Sequence, residues 1–243
     1  MIQFFRKIRR QLLSESKIRK YLLYAVGEIT LVMIGILLAF QVDSWNEKKN
    51  LTKKEITNLE EIKKNLKSDL ENQLIPGSEY YQLSVEAYNI LQSNFYKAPQ
   101  SIPEDSIREL FFAMVIPWKL AFNTVTFDKL SAMGIDLISN DSIRENISQL
   151  YGYEYRIIID YHDVTITEFR EDFVPRLSDH FNVHKPLTKP ELDYLKNDKP
   201  INTRLKGMVL RRQHLRDYFL HVKPLVEQLL AAIETEIEHL EDQ

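Results

Sequence analysis

An uninterrupted apolar segment, Tyr21–Val42, constrains this chain more than any other feature of its sequence. As a helix, its 22 residues would be about 33 Å long, close to the roughly 30 Å hydrocarbon core of a bilayer. The segment is longer than the apolar part of a cleaved signal peptide, and Leu37–Gln41 makes a poor cleavage site. We therefore expect an uncleaved transmembrane helix at residues 21–42.

The charges on either side of this segment predict its orientation. Residues 1–20 hold seven lysines and arginines and one glutamate, whereas the whole chain has a net charge of −3. Because basic flanks stay on the cytoplasmic side, we expect the N-terminus in the cytoplasm and residues 43–243 beyond the membrane. Aromatic residues would anchor both interfaces, with Tyr21 and Tyr24 on the inner side and Trp45 on the outer side.

The basic tail, residues 1–20, also has an amphipathic pattern. Its apolar and basic side chains alternate as in a helix that lies on a membrane surface; those that would touch the surface are Phe4, Phe5, Arg6, Lys7, Arg9 and Arg10. Such a helix would bind membrane lipids with anionic headgroups. The alternative is that the charges act only as a topological stop signal, and the sequence leaves both open.

One acidic residue, Glu28, lies inside the apolar segment, where a carboxylate is costly and usually faces protein or water. At 100° per residue, Gly35 and Ala39 fall on the same helix face as Glu28, and Val32 flanks them. The spacing of Gly35 and Ala39 lets helix backbones approach closely. We expect this face to mediate self-association or docking on another membrane span. A proton-carrying role for Glu28 would need a second ionisable partner.

The rest of the chain predicts an all-α fold. Only six glycines and no cysteines are present, so tight turns are few and disulfides are excluded. Apolar residues recur at spacings of three and four in three long segments, which predicts core-facing helices. The clearest stripes are Ile56, Leu59, Ile62, Leu66, Leu70 and Leu74, then Ile147, Tyr151, Tyr155, Ile158, Phe169, Phe173, Leu177 and Phe181, and then Val209, Leu215, Phe219, Val222, Val226, Leu229, Ile233, Ile237 and Leu240. We expect one transmembrane helix followed by an elongated antiparallel helical bundle over residues 43–243.

Local signals predict where these helices begin and end. Four pairs have the spacing of a capping box: Thr52–Glu55, Ser101–Glu104, Ser142–Glu145 and Thr188–Glu191. Pro76-Gly77 predicts a helix end, Gly134 predicts a left-handed cap, and Pro224 predicts a kink in the last helix. Whether the membrane helix continues unbroken past Asn50 stays open.

No pattern in the sequence indicates catalysis, a cofactor or a metal. Phosphate loops, nucleophile elbows and dinucleotide glycine patterns are missing. His180 and His184 share a helical spacing but lack the glutamate of a zinc-protease motif, so we expect no metal site. Arg211 and Arg212 are interpreted as part of a solvated face or of intrahelical pairs, and we expect no nucleic-acid binding. The tyrosine clusters, Tyr80, Tyr81 and Tyr88 and then Tyr151, Tyr153 and Tyr155, are interpreted as core; a small-molecule ligand stays unknown.

Five runs in the first fifty residues carry a resemblance. They are FFRKIRR at 4–10, LLSE at 12–15, YLLYAVGEI at 21–29, IGILLAFQ at 34–41 and WNE at 45–47. Together they resemble a bacterial family of single-span membrane proteins, catalogued as a domain of unknown function and associated with Gram-negative gliding-type bacteria; the match is weaker over 127–134 and 138–151. The resemblance implies an inner-membrane protein with a helical periplasmic domain, and it implies no activity.

These features predict a non-enzymatic scaffold or accessory interaction subunit of a cell-envelope assembly, self-associating through its membrane face. One alternative is a periplasmic sensor or ligand-binding module; with about twenty residues before the span, it would need a separate transducer. The other is an ion-conducting subunit in which Glu28 faces a water-filled path.

Overall fold

The computed structural model describes residues 18–96, 102–180, 185 and 188–242, and all regular secondary structure in these ranges is helical. The α-helices are α1 (Ile18–Asp69), α2 (Ile75–Ile90), α3 (Glu104–Val115), α4 (Val125–Met133), α5 (Asp141–Gln149), α6 (Tyr155–Glu168), α7 (Val174–His180), α8 (Lys189–Asn197) and α9 (Lys199–Glu241). The expected all-α class is confirmed. The chain divides into two compact units, Met1–Lys54 and Glu55–Gln243, which are described separately.

Helix α1 is continuous through the predicted capping box at Thr52 and Glu55, so that prediction is wrong. The Thr52 hydroxyl donates instead to the Lys48 carbonyl at 3.1 Å, one turn back. The Glu55 carboxylate accepts from the backbone N–H of Ser139 at 2.6 Å and from its hydroxyl at 2.8 Å. Inside a helix the backbone donors are already paired, so these two side chains find other partners.

In the second unit, α9 packs antiparallel to the chain that runs from Glu55 through α2. The Lys63 ammonium approaches Glu234 at 3.4 Å, whereas Gln82, further along, accepts from Arg216 at 2.5 Å. The segment formed by α5 to α7 is also antiparallel to α9. Tyr218 of α9 donates to Glu154, while Arg204, earlier on α9, pairs with Asp172. Helix α9 therefore packs against both of the other long helical segments.

The core of the bundle contains the predicted apolar stripes. All nine residues of the α9 stripe, Val209 to Leu240, are buried, as are Leu59, Ile62, Leu66 and Leu74. Burial of such stripes is the main driving force for folding of a bundle. The buried residues form two apolar clusters: one contains Leu59, Tyr155 and Phe219, and the other contains Phe111, Phe173 and Met208.

Pro76-Gly77 does not end a helix, which corrects the prediction made from that pair. A single wide turn, Leu70–Leu74, precedes the proline, and in it the Ile75 N–H donates to the Leu70 carbonyl five residues back. Such a turn relieves the clash between a proline ring and the carbonyl one turn earlier. A second wide turn, Phe169–Phe173, precedes Pro175 at the same spacing. The chain thus stays helical through both prolines.

Gly77 has a packing role instead. A Cβ placed there would lie 3.3 Å from the Phe219 ring and 3.3 Å from Trp118 Nε1. These contacts are tighter than ordinary van der Waals distances, so a side chain at position 77 would require the Phe219 ring or the Trp118 indole to shift by a few tenths of an ångström.

The remaining predicted ends agree with the structure to different degrees. Thr188 caps α8, with its N–H donating to Glu191 at 2.5 Å, and Gly134 has a positive φ of 106°, although its ψ of 111° is not that of a left-handed cap. The Ser142–Glu145 box is wrong, because Asn140 accepts from the Ser142 and Ile143 N–H groups and begins α5. Ser101 lies outside the described residues. Pro224 lies inside the continuous α9.

Candidate functional site

The first unit exposes its apolar surface. Every side chain from Ile29 to Leu51 is exposed, including Leu31 at 74% and Phe40 at 69%. Among the described residues, this is the one helix long and apolar enough to cross a membrane. Soluble proteins rarely expose an apolar surface of this extent, and the described part of the chain does not cover it.

The predicted association face lies on this surface. Glu28 and Val32 line a shallow groove of about 380 Å³ together with Ala25, Ile29 and Met33. A Cβ placed on Gly35 would meet nothing within 4 Å, so no contact within the described part of the chain explains a glycine there. Ala39 is exposed on the same face.

Other polar groups near the face are paired locally. The Thr30 hydroxyl donates to the Val26 carbonyl at 2.9 Å, which satisfies it inside the helix.

Of the predicted interface anchors, Trp45 is 66% exposed, and the Lys49 ammonium lies 5.6 Å from its ring centroid. Tyr24 is half-buried. The tail residues Phe4 to Arg10 lie outside the described residues, and Tyr21 is described only as part of α1.

In the bundle, the Arg212 side chain is fully buried at the boundary of the two apolar clusters. Its guanidinium donates to the carbonyls of Val115 at 2.7 Å and Ile116 at 2.8 Å, where α3 ends, and to the Ser84 hydroxyl at 2.6 Å. Burial lowers the pKa of Arg212 to about 10, so it stays charged at neutral pH. A cation on the last carbonyls of a helix compensates its dipole, so Arg212 has a structural role.

The interpretation of Arg211 and Arg212 as part of a solvated face or of intrahelical pairs is corrected by their contacts. Arg212 is buried, and Arg211 pairs with Glu168 on α6, a neighbouring helix. Arg216, further along α9, hydrogen-bonds Gln82 on α2 and also pairs with Asp217 on its own helix.

A second buried charge, Asp69, holds the segment before α4. Its carboxylate accepts from the Asn123 N–H at 3.0 Å and from the Asn123 side-chain amide at 2.8 Å. Burial raises the pKa of Asp69 to about 6, an effect that these hydrogen bonds only partly oppose. The carboxylate is thus placed to position the connection between α3 and α4.

A third buried acid is Glu154, which lies where the start of α6 packs against α9. Its Oε2 accepts from the Tyr218 hydroxyl at 2.7 Å, and its Oε1 accepts from the Gln149 amide at 3.2 Å. A cavity of about 290 Å³ opens beside it, lined by Asn146, Gln149, Leu150, Glu154, Leu225, Gln228, Leu229 and Ala232. Sequence reasoning missed this site, although Glu154 interrupts an apolar stripe one residue before Tyr155.

The histidines and tyrosines have ordinary environments. His162 is buried, with Nε2 2.6 Å from the Trp118 carbonyl oxygen, and the His180 ring lies 4.1 Å from that of Tyr194. His184 lies outside the described residues. Tyr81, Tyr151 and Tyr155 belong to the core as expected, whereas Tyr153 is exposed. Within the ranges that the structure describes, no three acidic or histidine side chains are grouped to hold a metal ion.

Comparison with known proteins adds no assignment to this geometry. No family model matches the chain, and no curated protein or solved structure matches it either. The resemblance of the first fifty residues to a single-span bacterial family stays a prediction. Function is therefore inferred from two features, the exposed apolar face of α1 and the polar groups of the bundle.

Proposed function

We propose that this chain is a non-enzymatic, single-span inner-membrane protein whose helical bundle lies in the periplasm. It serves there as a scaffold or accessory interaction subunit of a cell-envelope assembly. The observation that carries the proposal is the exposure of every side chain from Ile29 to Val42, nearly all of which are apolar. A bilayer is the environment that covers a single helix of this length on all sides.

The energetics of insertion support a membrane span at residues 21–42. Its leucine, isoleucine, valine and phenylalanine side chains contribute roughly −4 to −7 kcal/mol on transfer to the bilayer. Glu28 opposes insertion by about 2–3 kcal/mol. This cost is not larger because Glu28 lies away from the midplane. Thr30 adds little cost, since its hydroxyl is hydrogen-bonded within the helix. The balance favours insertion.

Self-association is proposed through the face that contains Glu28, Val32, Gly35 and Ala39. The open surface around Gly35 supports this, because it is free for the close approach of a second helix. Glu28 would add a hydrogen-bonding group to the same contact. A second copy and another single-span protein are the two partners that this face suits.

Membrane insertion is tested by fractionation together with a reporter fused after Gln243. We expect the full-length protein in the membrane fraction, released only by detergent, and a reporter that is active outside the cytoplasm. Recovery of the intact chain from the soluble fraction, or a reporter active only in the cytoplasm, would overturn the proposal.

Self-association is tested with a matched pair of glycine substitutions. Gly35→Leu places a bulky side chain on the proposed face, whereas Gly27→Leu places the same side chain about 100° away on the helix. Neither glycine has a contact within 4 Å at its Cβ position, so neither change introduces a clash within the described chain. We expect Gly35→Leu to reduce crosslinked dimer at least tenfold and Gly27→Leu to leave it unchanged. Equal effects of the two changes would argue against this face.

Glu28→Gln separates association from proton transfer. Glutamine keeps the hydrogen-bonding capacity of the side chain and abolishes its titration. Retained crosslinking with retained cellular function would remove the ion-conducting alternative. Loss of function with assembly intact would favour that alternative over a scaffold.

The cavity beside Glu154 supports a second candidate, a periplasmic ligand-binding module that works through a separate transducer. Its polar and apolar lining is typical of small-molecule sites. Copurification in mild detergent distinguishes the two candidates: a stable protein partner favours the scaffold, and a bound small molecule favours the module.

A further inference from the structure

One groove runs between the α5–α6 segment and α9, and a single hydrogen bond divides it. His214, Tyr218, Leu225 and Ala232 follow one face of α9 at helical spacing and line two cavities in succession. The Tyr218 hydroxyl donates to Glu154 across the groove at the boundary between them. On one side lies the 290 Å³ cavity with mixed lining, and on the other lies a cavity of about 280 Å³ lined by Ile157, Ile158, Tyr161, His214, Leu215 and Tyr218.

The carboxylate at this boundary, that of Glu154, is buried and held by hydrogen bonds within the fold. The Glu154 side chain is only 8% exposed, and both of its oxygens accept hydrogen bonds from uncharged donors, Tyr218 and Gln149. Burial and the hydrogen bond to Glu154 raise the pKa of Tyr218, so the phenol stays protonated and donates. The two hydrogen bonds therefore fix the position of the carboxylate at the edge of the groove.

The Glu154 carboxylate has little contact with cationic side chains of the protein. In the part of the chain that the structure describes, His221 is the basic side chain within 4 Å of Glu154, with Nε2 3.9 Å from Oε2, and its side chain is 59% exposed. Two arginines of α9 that reach α6 and the wide turn after it pair with other acids, Arg211 with Glu168 and Arg204 with Asp172. A carboxylate at the edge of a cavity and without a strong cationic partner offers a cation that enters the cavity a favourable Coulomb interaction.

The lining of the mixed cavity determines which cation fits. Asn146, Gln149 and Gln228 supply amide oxygens that accept hydrogen bonds, and Leu150, Leu225, Leu229 and Ala232 supply an apolar wall. A single carboxylate flanked by neutral amides is a poor site for a divalent metal ion, which requires several oxyanion ligands. An ammonium group with a compact apolar body uses both parts of the lining.

We propose that the groove beside Glu154 binds a small organic monoammonium cation. The ammonium group donates to the Glu154 carboxylate and to the amide oxygens, and its apolar body lies on Leu225 and Leu229. The site does not depend on the membrane span, so its failure and the failure of the proposed scaffold role are separate results.

The test uses the full chain in nanodiscs of zwitterionic lipid and three probes of nearly equal size: benzylammonium, benzyl alcohol and benzoate. Binding is measured by ligand-observed NMR and by calorimetry at pH 7. We expect saturable binding of benzylammonium at one site, with benzyl alcohol at least tenfold weaker and benzoate not bound. Equal binding of the alcohol and the ammonium, or no saturable binding of the ammonium at millimolar concentration, would overturn the proposal.

Two variants identify the site. Glu154→Gln removes the charge and keeps an oxygen that accepts from Tyr218, and we expect it to weaken benzylammonium binding about tenfold to a hundredfold, the value of a charge-assisted hydrogen bond. Glu79→Gln, an exposed acid on α2 away from the groove, makes the same charge change and should leave binding unchanged. An affinity of Glu154→Gln within twofold of the original chain would contradict the assignment.

If Glu154→Gln lowers the stability of the bundle, the variant Tyr218→Phe provides a second test of the site. It removes the dividing hydrogen bond and keeps both the ring and the Glu154 charge. We expect benzylammonium binding to be retained or strengthened, because the carboxylate loses a competing donor. Loss of binding in Tyr218→Phe, with unchanged helix content, would show that the charge is not what holds the ligand and would overturn the proposal.

Discussion

Gly35 in the first unit and Gly77 in the bundle are both helical glycines, and their surroundings differ completely. A Cβ at Gly35 meets nothing within 4 Å, whereas one at Gly77 meets Phe219 and Trp118 at 3.3 Å. The same residue type thus leaves surface open in one unit and allows close packing in the other. The described chain therefore provides a packing reason for Gly77 but none for Gly35.

Polar groups differ between the two units in the same way. In the first unit, Thr30 and Thr52 hydrogen-bond to their own helix. In the bundle, Arg212, Asp69 and Glu55 reach across to backbone groups of other segments. The bundle is therefore held by interactions between segments, and its stability should respond strongly to single substitutions.

The largest effect is expected for Arg212→Met. The change removes the charged donor from three buried acceptors: the Val115 carbonyl loses its side-chain donor, whereas the Ile116 carbonyl keeps the Tyr80 hydroxyl and the Ser84 hydroxyl still donates to Met114. Each lost hydrogen bond to the charged group, and each buried polar group left unpaired, costs about 1–3 kcal/mol. We expect a loss of about 3–5 kcal/mol in the free energy of unfolding, measured by denaturant titration of the full chain in detergent. Arg156→Met, an exposed control on α6, should change it by less than about 0.5 kcal/mol. Similar values for the two variants would contradict a capping role for Arg212.

The next effect is a pH dependence due to Asp69. Its pKa is raised from 3.8 to about 6 in the folded state, so folding favours the protonated form. The contribution to stability is fully present below about pH 4 and is lost as the pH rises through 6, by ~3 kcal/mol at most. Asp69→Asn should flatten this part of the stability profile, because an amide does not titrate.

The control for Asp69 is Asp160→Asn, an exposed acid on α6. It should keep the full slope between pH 4 and pH 6. A profile for Asp69→Asn that falls as steeply as that of the unmodified chain would assign the slope to other groups.

A smaller effect is expected for Gly77→Ala. The added methyl group must displace the Phe219 ring or the Trp118 indole, and overpacking of this kind costs about 1–3 kcal/mol. Gly152→Ala, in the same unit but with nothing near its Cβ position, should stabilise by about 0.5–1 kcal/mol through its helix propensity. Thermal unfolding of the two variants compares them directly, and equal shifts of Tm would refute the packing role of Gly77.

The smallest effect on stability is expected for Gly35→Leu. Because no described contact surrounds Gly35, the unfolding free energy of the bundle should change by less than about 0.5 kcal/mol even though crosslinked dimer is lost. Hydrogen exchange of the bundle amides measures this separately from assembly. A large loss of protection in the bundle would mean that Gly35 supports the fold of its own chain.

Several elements of the fold were predictable because they depend on periodicity alone. The apolar stripe ending at Leu240 is buried as expected, and that ending at Leu74 is buried except for Ile56 and Leu70, which are half-buried against the same core, since burial of one helix face follows from spacing. The cap at Thr188 was also predictable, because its partner Glu191 is three residues away. The exposed apolar helix follows from composition and length.

Other features depend on residues that are distant in sequence. Pro76 does not break its helix, because a wide turn forms before it and packing against α9 holds the segment helical. Asn140 rather than Ser142 caps α5, and its side chain also donates to Glu236 at 2.7 Å. Arg212 lies three residues from both Val209 and Leu215, and this helical spacing indicates a buried position. The charge of the arginine side chain led to the opposite expectation.

The amino-acid sequence by itself determined which segments are helical, which faces are apolar, and that one helix has the length and composition of a membrane span. Each of these follows from local spacing and from the transfer free energy of individual side chains. Only the tertiary structure decided the partners of Arg212, Asp69 and Glu154, and with them the groove beside Tyr218. The physical reason is that a buried charge takes its role from the donors and acceptors that packing brings to it, and those come from distant parts of the chain.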